Sequence, residues 1–268
     1  MRILNGREIA DYMEERQARQ VRALRQADHV APKLAIILTT DDPVIASYVR
    51  MKQNYGEDIL IDTDIHQTDA AGIVALIEQL NGDVTVHGII VQLPLADGID
   101  VDEVVNSVAP AKDVDGLGSH AQWTPATAMA IDWLLAGYNI DLKNKTIAIV
   151  GNGRLVGKPL NALWSGMGLT PTVYDDQTAD LPAEIRKAEL IVTATGVPGL
   201  ITSQMIQPGA VVVDAGTASE NGKIVGDVAA DVRERNDLTI TPEKGGVGPL
   251  TVTALFDNVI RAAQATIS

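Results

Sequence analysis

The chain has 268 residues, 46% of them hydrophobic, and 35 Asp and Glu against 21 Lys and Arg give a formal net charge of −14. That acidity opposes nucleic-acid phosphates and anionic lipid surfaces, and the absence of cysteine excludes disulfides, thiolate metal sites and cysteine nucleophiles. His29, His66, His87 and His120 lack ligand spacing, and no apolar run approaches the ~20 residues of a membrane span, so the expectation is a cytoplasmic globular protein with a small-molecule partner, no metal, no nucleic acid and no membrane.

In chain order, "NGREIADYMEERQARQVRALRQA" (5–27) predicts a helix, with Asn5 and Glu8 at capping-box spacing. "LAIIL" (34–38) is a continuous apolar run of the kind that suits a parallel strand covered on both faces. "SYVRMKQ" (47–53) puts Tyr48 and Lys52 one helical turn apart, which on an unfamiliar chain describes a solvated helix face. A helix over "AAGIVALIEQL" (70–80) precedes a strand over "GIIVQL" (88–93) that ends near Gln92. The aperiodic stretch 109–123, "APAKDVDGLGSHAQW", reads as a linker.

Beyond it, "TAMAIDWLL" (127–135) has helical spacing, and further strands are predicted at "TIAIV" (146–150), "PTVYDD" (171–176), "LIVTA" (190–194) and "AVVVD" (210–214). A second Gly- and Pro-rich loop, "TPEKGGVGP" (241–249), comes before a final helix, "LTVTALFDNVIRAAQA" (250–265), whose start Thr251 could cap. Strand and helix alternate, so the class is α/β. The expected division is 1–120 plus 250–268 as one domain, with the last helix returning to it, and 121–249 as a second domain of Rossmann-like parallel-sheet type.

The strand "TIAIV" runs into "GNGRLVGKPLNALW", with Gly151, Gly153 and Gly157 at a strand-to-helix turn. Glycines there let the backbone turn tightly and let a pyrophosphate approach a helix N-terminus. The spacing is one residue longer than the usual fingerprint, and its position between strand and helix is what gives it weight. Asp175 and Asp176 follow the next strand, near the offset at which an acid holds the ribose hydroxyls of NAD. Two carboxylates would oppose the 2′-phosphate of NADP unless Arg154 or Lys158 neutralised it. NAD is therefore the favoured cofactor over NADP, with a plain solvated turn as the alternative for both aspartates.

Taken together, "YVRMK", "VQLPL" (91–95), "KDVDG" (112–116), "GNGRLVGKP", "ATGVPGLI" (194–201), "PGAVVVDAG" (208–216), "GDV" (226–228) and "GGVGPLT" (245–251) resemble, in order and over nearly the whole chain, the bifunctional methylenetetrahydrofolate dehydrogenase/cyclohydrolase family. The resemblance implies oxidation of 5,10-methylenetetrahydrofolate by a nicotinamide cofactor, hydrolysis of the methenyl product to 10-formyltetrahydrofolate, and a homodimer. It implies Lys52, Tyr48, Gln92 and Asp115 as catalytic residues, and Tyr48, Leu93, Pro94, Asp115, Gly246 and Pro249 as substrate-binding ones. For the cofactor it implies Gly151, Asn152, Gly153, Arg154, Leu155, Val156, Asp175, Asp176, Thr195 and Gly196. Asp113 is expected to shape its loop.

Several departures stand out. Asn152 and Gly153 occupy positions where NADP-using members typically have Arg-Ser, and Asp175 and Asp176 replace a frequent His-Ser pair; both changes favour NAD. The loop after Gly116 is short, the next helix begins in "PATAMA", and Lys244 replaces a usual proline. Two other readings fit parts of the chain: a two-domain NAD-dependent dehydrogenase acting on a non-folate substrate, and a catalytically silent NAD-binding regulatory subunit.

Overall fold

The structure, a computed structural model, describes residues 1–220 and 223–267. In chain order its elements are β1 (Arg2–Ile3), α1 (Gly6–Ala27), β2 (Lys33–Leu38), α2 (Pro43–Asp58), β3 (Asp62–Gln67), α3 (Ile73–Gly82), β4 (Gly88–Val91), α4 (Val101–Ser107) and α5 (Ala126–Gly137). There follow β5 (Ile147–Val150), α6 (Gly157–Gly166), β6 (Thr172–Tyr174), α7 (Leu181–Ile185), β7 (Leu190–Thr193) and a 3₁₀ turn (Ser203–Met205). The chain ends with β8 (Val211–Asp214), β9 (Ala218–Glu220), β10 (Lys223–Val225), α8 (Ala230–Arg233), β11 (Thr239–Ile240) and α9 (Val247–Gln264). Among the described residues no helix is long and apolar enough to cross a membrane.

The chain divides into two compact units. One comprises residues 11–126 and 252–268, the other 1–10 and 127–251. The expected division gave residues 1–120 to one domain. The first strand departs from it, because β1 pairs in parallel with β11 through Arg2–Thr239 and Ile3–Ile240 and so belongs to the sheet of the second unit.

In the first unit β2 lies between β3 and β4, all parallel. Both faces of β2 are covered. Ala35 and Ile37 join Ile73, Ile77 and Leu80 of α3 and Val104 and Val105 of α4 in one core, while Leu34 and Ile36, on the alternate face, are equally buried. This is why "LAIIL" is apolar throughout rather than alternating, and each of its Leu and Ile side chains contributes roughly 1.5–3 kcal/mol by leaving water. β3, "DTDIHQ", is an edge strand whose side chains are mostly polar and half-exposed, and its apolar signal is correspondingly absent.

The second unit holds a six-stranded parallel sheet in the order β1-β11-β8-β7-β5-β6, and a separate antiparallel pair of β9 with β10. Chain order reverses at β5, which has β6 on one side and β7 on the other, so a topological switch point lies at their C-terminal ends. The expected capping box at the start of α1 does not form. Asn5 Oδ1 does accept from Arg7 N (3.1 Å), but the Tyr138 hydroxyl stands where the box would close, accepting from Asn5 N (3.0 Å) and donating to Glu8 Oε2 (3.1 Å). Nor does Thr251 cap the last helix. α9 already begins at Val247, and the Thr251 hydroxyl donates to Val247 O one turn back.

α2 has the better-built start. Asp42 Oδ1 accepts from Val44 N (2.6 Å) and Ile45 N (3.3 Å), with Pro43 pre-set at the first helical position. Asp42→Ala is expected to lower stability by about 1 kcal/mol, measured by chemical denaturation, through loss of this cap.

Candidate functional site

The switch point of the three-stranded sheet in the first unit lies between β2 and β4, and side chains of opposite character meet there. Lys52 comes from α2, the helix after β2. Gln92 is the first residue past β4, and its N–H still donates to Ile37 O of β2 (3.0 Å). Lys52 Nζ donates to Gln92 Oε1 at 2.7 Å, while Gln92 Nε2 donates to Leu93 O at 3.0 Å. The second bond fixes the amide orientation, so that its oxygen, not its nitrogen, faces the amine.

Burial pulls the Lys52 ammonium below the ordinary lysine range, with the negative charge of Asp115 opposing that fall. Asp115 is pushed above the carboxylate range by burial, with the Lys52 charge pulling it back. Desolvation is the larger cause for both, so both groups shift toward their neutral forms. Tyr48, half-buried one turn before Lys52, has its phenol raised by burial alone, and its hydroxyl bonds to no described residue.

Asp115 is held by its loop. Buried Asp113 accepts from Gly116 N (3.0 Å) and Leu117 N (3.4 Å) on one oxygen and from Gly118 N (2.7 Å) on the other. Its role is thus to fold the turn that presents Asp115. Gly116 has φ +71, and a Cβ there would fall 2.8 Å from Trp123 O and 2.9 Å from Pro125, so only glycine fits. From α9, the buried Asn258 Nδ2 donates to Val114 O and Thr124 O, both at 2.9 Å, tying the two ends of the shortened loop together. Trp123 Nε1 adds a bond to Ala111 O (2.8 Å), and Arg261 lies over its ring at 5.3 Å. Leu93 is half-buried and exposed Pro94 follows it through a cis peptide; Thr39 Oγ1 secures the same loop by accepting from Ala96 N (2.8 Å).

In the second unit the glycine turn sits at the switch point. Gly151 has φ +103, and a Cβ on it would lie 2.5 Å from Ala194 O, at the end of β7. Gly157, at the start of α6, brings that helix so close that its Cβ would lie 1.8 Å from Gly151 O. Gly153 is different: no described residue lies within 4 Å of where its Cβ would be. Two glycines therefore close the turn and the third leaves open space beside the backbone, which is the cradle a pyrophosphate requires.

Gly151 N donates to Tyr174 O (2.7 Å), which sets the next residue, Asp175, beside the turn. Asp175 and Asp176 are both exposed. Asp175 Oδ1 accepts from Gln177 N (3.1 Å), so one oxygen does serve the local turn, and Oδ2 takes no bond from a described residue. Asn152, Gly153 and Leu155 are exposed, Arg154 and Val156 half-buried, and Thr195 and Gly196 form the turn after β7, Gly196 with φ +70.

Gly246 and Pro249 belong to the second unit. The segment "GGVGP" is anchored: Gly245 O accepts from Arg7 N (3.0 Å), a Cβ on Gly6 would collide with Gly246 O at 1.8 Å, and Pro249 already lies in α9. Lys244 is exposed, and nothing in the structure explains its replacement of a proline. Among the described residues no cluster of His, Asp and Glu could hold a metal. Sequence reasoning missed Thr39, Asn258 and Asp42, which act through single hydrogen bonds that leave no periodicity or motif.

A glycine turn at the switch point of a parallel sheet, and a half-buried amine–amide–carboxylate cluster at that of a second, define a two-unit nucleotide-binding α/β enzyme. Residues 4–115 match the tetrahydrofolate dehydrogenase/cyclohydrolase catalytic domain, and residues 125–267 the NAD(P)-binding domain of the same family. The bifunctional protein FolD of Heliobacterium modesticaldum is 40% identical, over 96% of this chain and 94% of that one. The bifunctional enzyme FolD, methylenetetrahydrofolate dehydrogenase/cyclohydrolase, of Campylobacter jejuni superposes with a TM-score of 0.93 at 34% identity, covering 99% of each chain. The Trypanosoma brucei methylenetetrahydrofolate dehydrogenase-cyclohydrolase, solved with NADP and an inhibitor, gives 0.92 at 27% identity over 99% of this chain and 98% of that one. The chain belongs to the tetrahydrofolate dehydrogenase/cyclohydrolase family and is an NAD(P)-dependent enzyme of that class.

Gly157→Ala tests the turn directly. The added methyl has no room against Gly151 O, so the variant is expected to bind reduced nicotinamide dinucleotide more weakly by fluorescence titration, while its affinity for a folate analogue is unchanged.

Proposed function

We propose that this chain oxidises 5,10-methylenetetrahydrofolate with NAD in preference to NADP and hydrolyses the methenyl product to 10-formyltetrahydrofolate, as a cytoplasmic homodimer. The observation that carries the hydrolytic half is the contact of half-buried Lys52 with Gln92, with Asp115 in electrostatic reach.

When bound, the nicotinamide accepts the hydride from the one-carbon bridge. The chain's own contribution to that step is alignment and exclusion of water, for which no acid–base group is obligatory. Tyr48, Leu93 and Pro94 bind the folate, and Asp115 accepts hydrogen bonds from its pterin N–H groups.

Ring opening does need proton transfer. The methenyl product is a cation delocalised over two nitrogens, and a second positive charge beside it is disfavoured, so substrate and burial act together to keep Lys52 neutral. With one N–H donated to Gln92, a neutral Lys52 keeps a lone pair to take a proton from the attacking water. The same substrate charge favours ionised Asp115. Opposite requirements on two neighbouring groups are what separate a base from a carboxylate in one site.

The NAD preference rests on Asp175 and Asp176. Exposed carboxylates beside the glycine turn suit ribose hydroxyls as acceptors and oppose a 2′-phosphate. The T. brucei relative binds NADP, so the preference is a property proposed for this chain's own acidic pair. Steady-state assays following methenyl absorbance should give a higher kcat/KM with NAD; a higher value with NADP would overturn the preference, and no turnover with either would overturn the reading.

Lys52→Met is expected to lower hydrolysis of the methenyl substrate by about 10²-fold or more, the usual worth of a positioned acid–base group, while methenyl formation survives. Parallel loss of both activities in a folded variant would make Lys52 a binding residue instead.

A further inference from the structure

Two sequence motifs have no part in the chemistry above, "DAG" at 214–216 and "GDV" at 226–228. The structure brings them together at the C-terminal ends of β7 and β8 as a pair of interlocked carboxylates. Asp214 Oδ1 accepts from Gly216 N (3.1 Å) and Asp227 N (3.0 Å), and Oδ2 from Val228 N (3.1 Å) and the Arg233 guanidinium (3.3 Å). One carboxylate thereby holds the backbone that carries the other.

Asp227 is fully buried, and its Oδ2 accepts from the Thr193 hydroxyl (2.7 Å) and from Thr195 N (2.6 Å). Among the described residues its Oδ1 has no hydrogen-bond partner, and it lies against Gly216, 2.0 Å from where a Cβ would be. Gly226 is equally constrained, since a Cβ on it would fall 2.1 Å from Asp214 Oδ2. Both glycines are required by the carboxylates, and the carboxylates by something else.

What Asp227 fixes is the segment Thr193–Thr195, and this segment is the wall of the glycine turn. Ala194 O is the atom that a side chain on Gly151 would strike, at 2.5 Å. The last backbone bond that this strand end donates to its neighbour is Ala194 N to Val150 O (2.8 Å), so Thr195 N–H needs another acceptor. The buried carboxylate supplies it, and with it the position of Thr195, Gly196 and the carbonyl against Gly151.

We propose that Asp227 is a positioning residue for dinucleotide binding, acting through the Thr195–Gly196 turn, and that Gly216 is kept side-chain-free to admit it. This rests on the reading of the second unit as the cofactor-binding half. It makes two unrelated substitutions converge: Asp227→Ala removes the acceptor, and Gly216→Ala displaces it.

The test is dinucleotide affinity by fluorescence titration together with kcat and KM for the oxidation, with methenyl hydrolysis as internal reference because that step consumes no dinucleotide. Asp227→Ala and Gly216→Ala should each raise the dinucleotide Kd and KM by about tenfold or more, the worth of one hydrogen bond to a charged acceptor. Hydrolysis should be unchanged. Asp227→Asn, which retains an acceptor oxygen, should recover part of the loss. Val232→Ala, a core truncation in the same unit, controls for lowered stability and should leave the Kd at the parent value. If Asp227→Ala does not fold, Gly216→Ala and Asp227→Asn still decide the matter. Parent affinity in both alanine variants, or an equal rise in Val232→Ala, would overturn the positioning role. A parent enzyme that binds neither NAD nor NADP would overturn the nucleotide reading and this proposal with it.

Discussion

The site of the first unit depends on an amine held out of water. Taking Lys52 from solvent costs its charged form more than Asp115 returns, and so the ammonium is weakened. Little in the surroundings offsets that cost: Gln92, turned by Leu93 O, offers only a neutral acceptor, and among the described residues no carboxylate is bonded to Nζ. The scaffold then follows: a capped α2 to aim the lysine, β4 to deliver the amide, and a loop locked by Asp113 and Asn258 to hold Asp115 within electrostatic reach. An exposed Lys–Asp pair would be worth little and would stay ionised. Burial instead moves both groups toward their neutral forms, and in the proposed reaction the charge of the substrate is what separates their duties.

The second unit solves a different problem with backbone rather than charge. Gly151 and Gly157 permit approaches that any side chain would block, and Gly153 leaves its side open. Behind this turn stands Asp227, and behind Asp227 stands Asp214, each packed against a glycine. A chain of close contacts of this kind tolerates little substitution along its length, because interiors packed to this density transmit displacement.

How much of this was legible in the sequence depended on the kind of signal. The continuous runs at 34–38, 146–150, 190–194 and 210–214 are strands because both sheet faces are covered, and that burial is written in composition. The polar edge strand β3 and the two-residue strands β1 and β11 carry no such pattern, since an edge needs few apolar residues and a short strand has no period. For that reason the pairing of Arg2 and Ile3 with the second unit's sheet could not be read from the sequence. Lys52, Gln92 and Asp115 were legible as motifs, but their meeting was not, because it depends on β2, β4 and the loop before Trp123 being neighbours in space. Tyr138 displacing the Asn5–Glu8 box shows the limit of local rules: a hydroxyl from far along the chain took the place of the local partner.

The central claim, that burial pulls the Lys52 ammonium below the ordinary lysine range against the opposing charge of Asp115, is open to one direct measurement, NMR titration of the Lys52 side chain in the parent enzyme and in Asp115→Asn. The account predicts a midpoint below the ordinary lysine range in the parent. Removing the carboxylate removes the negative charge that holds it up, so the midpoint should fall further in Asp115→Asn. An ordinary lysine midpoint, indifferent to Asp115, would contradict it.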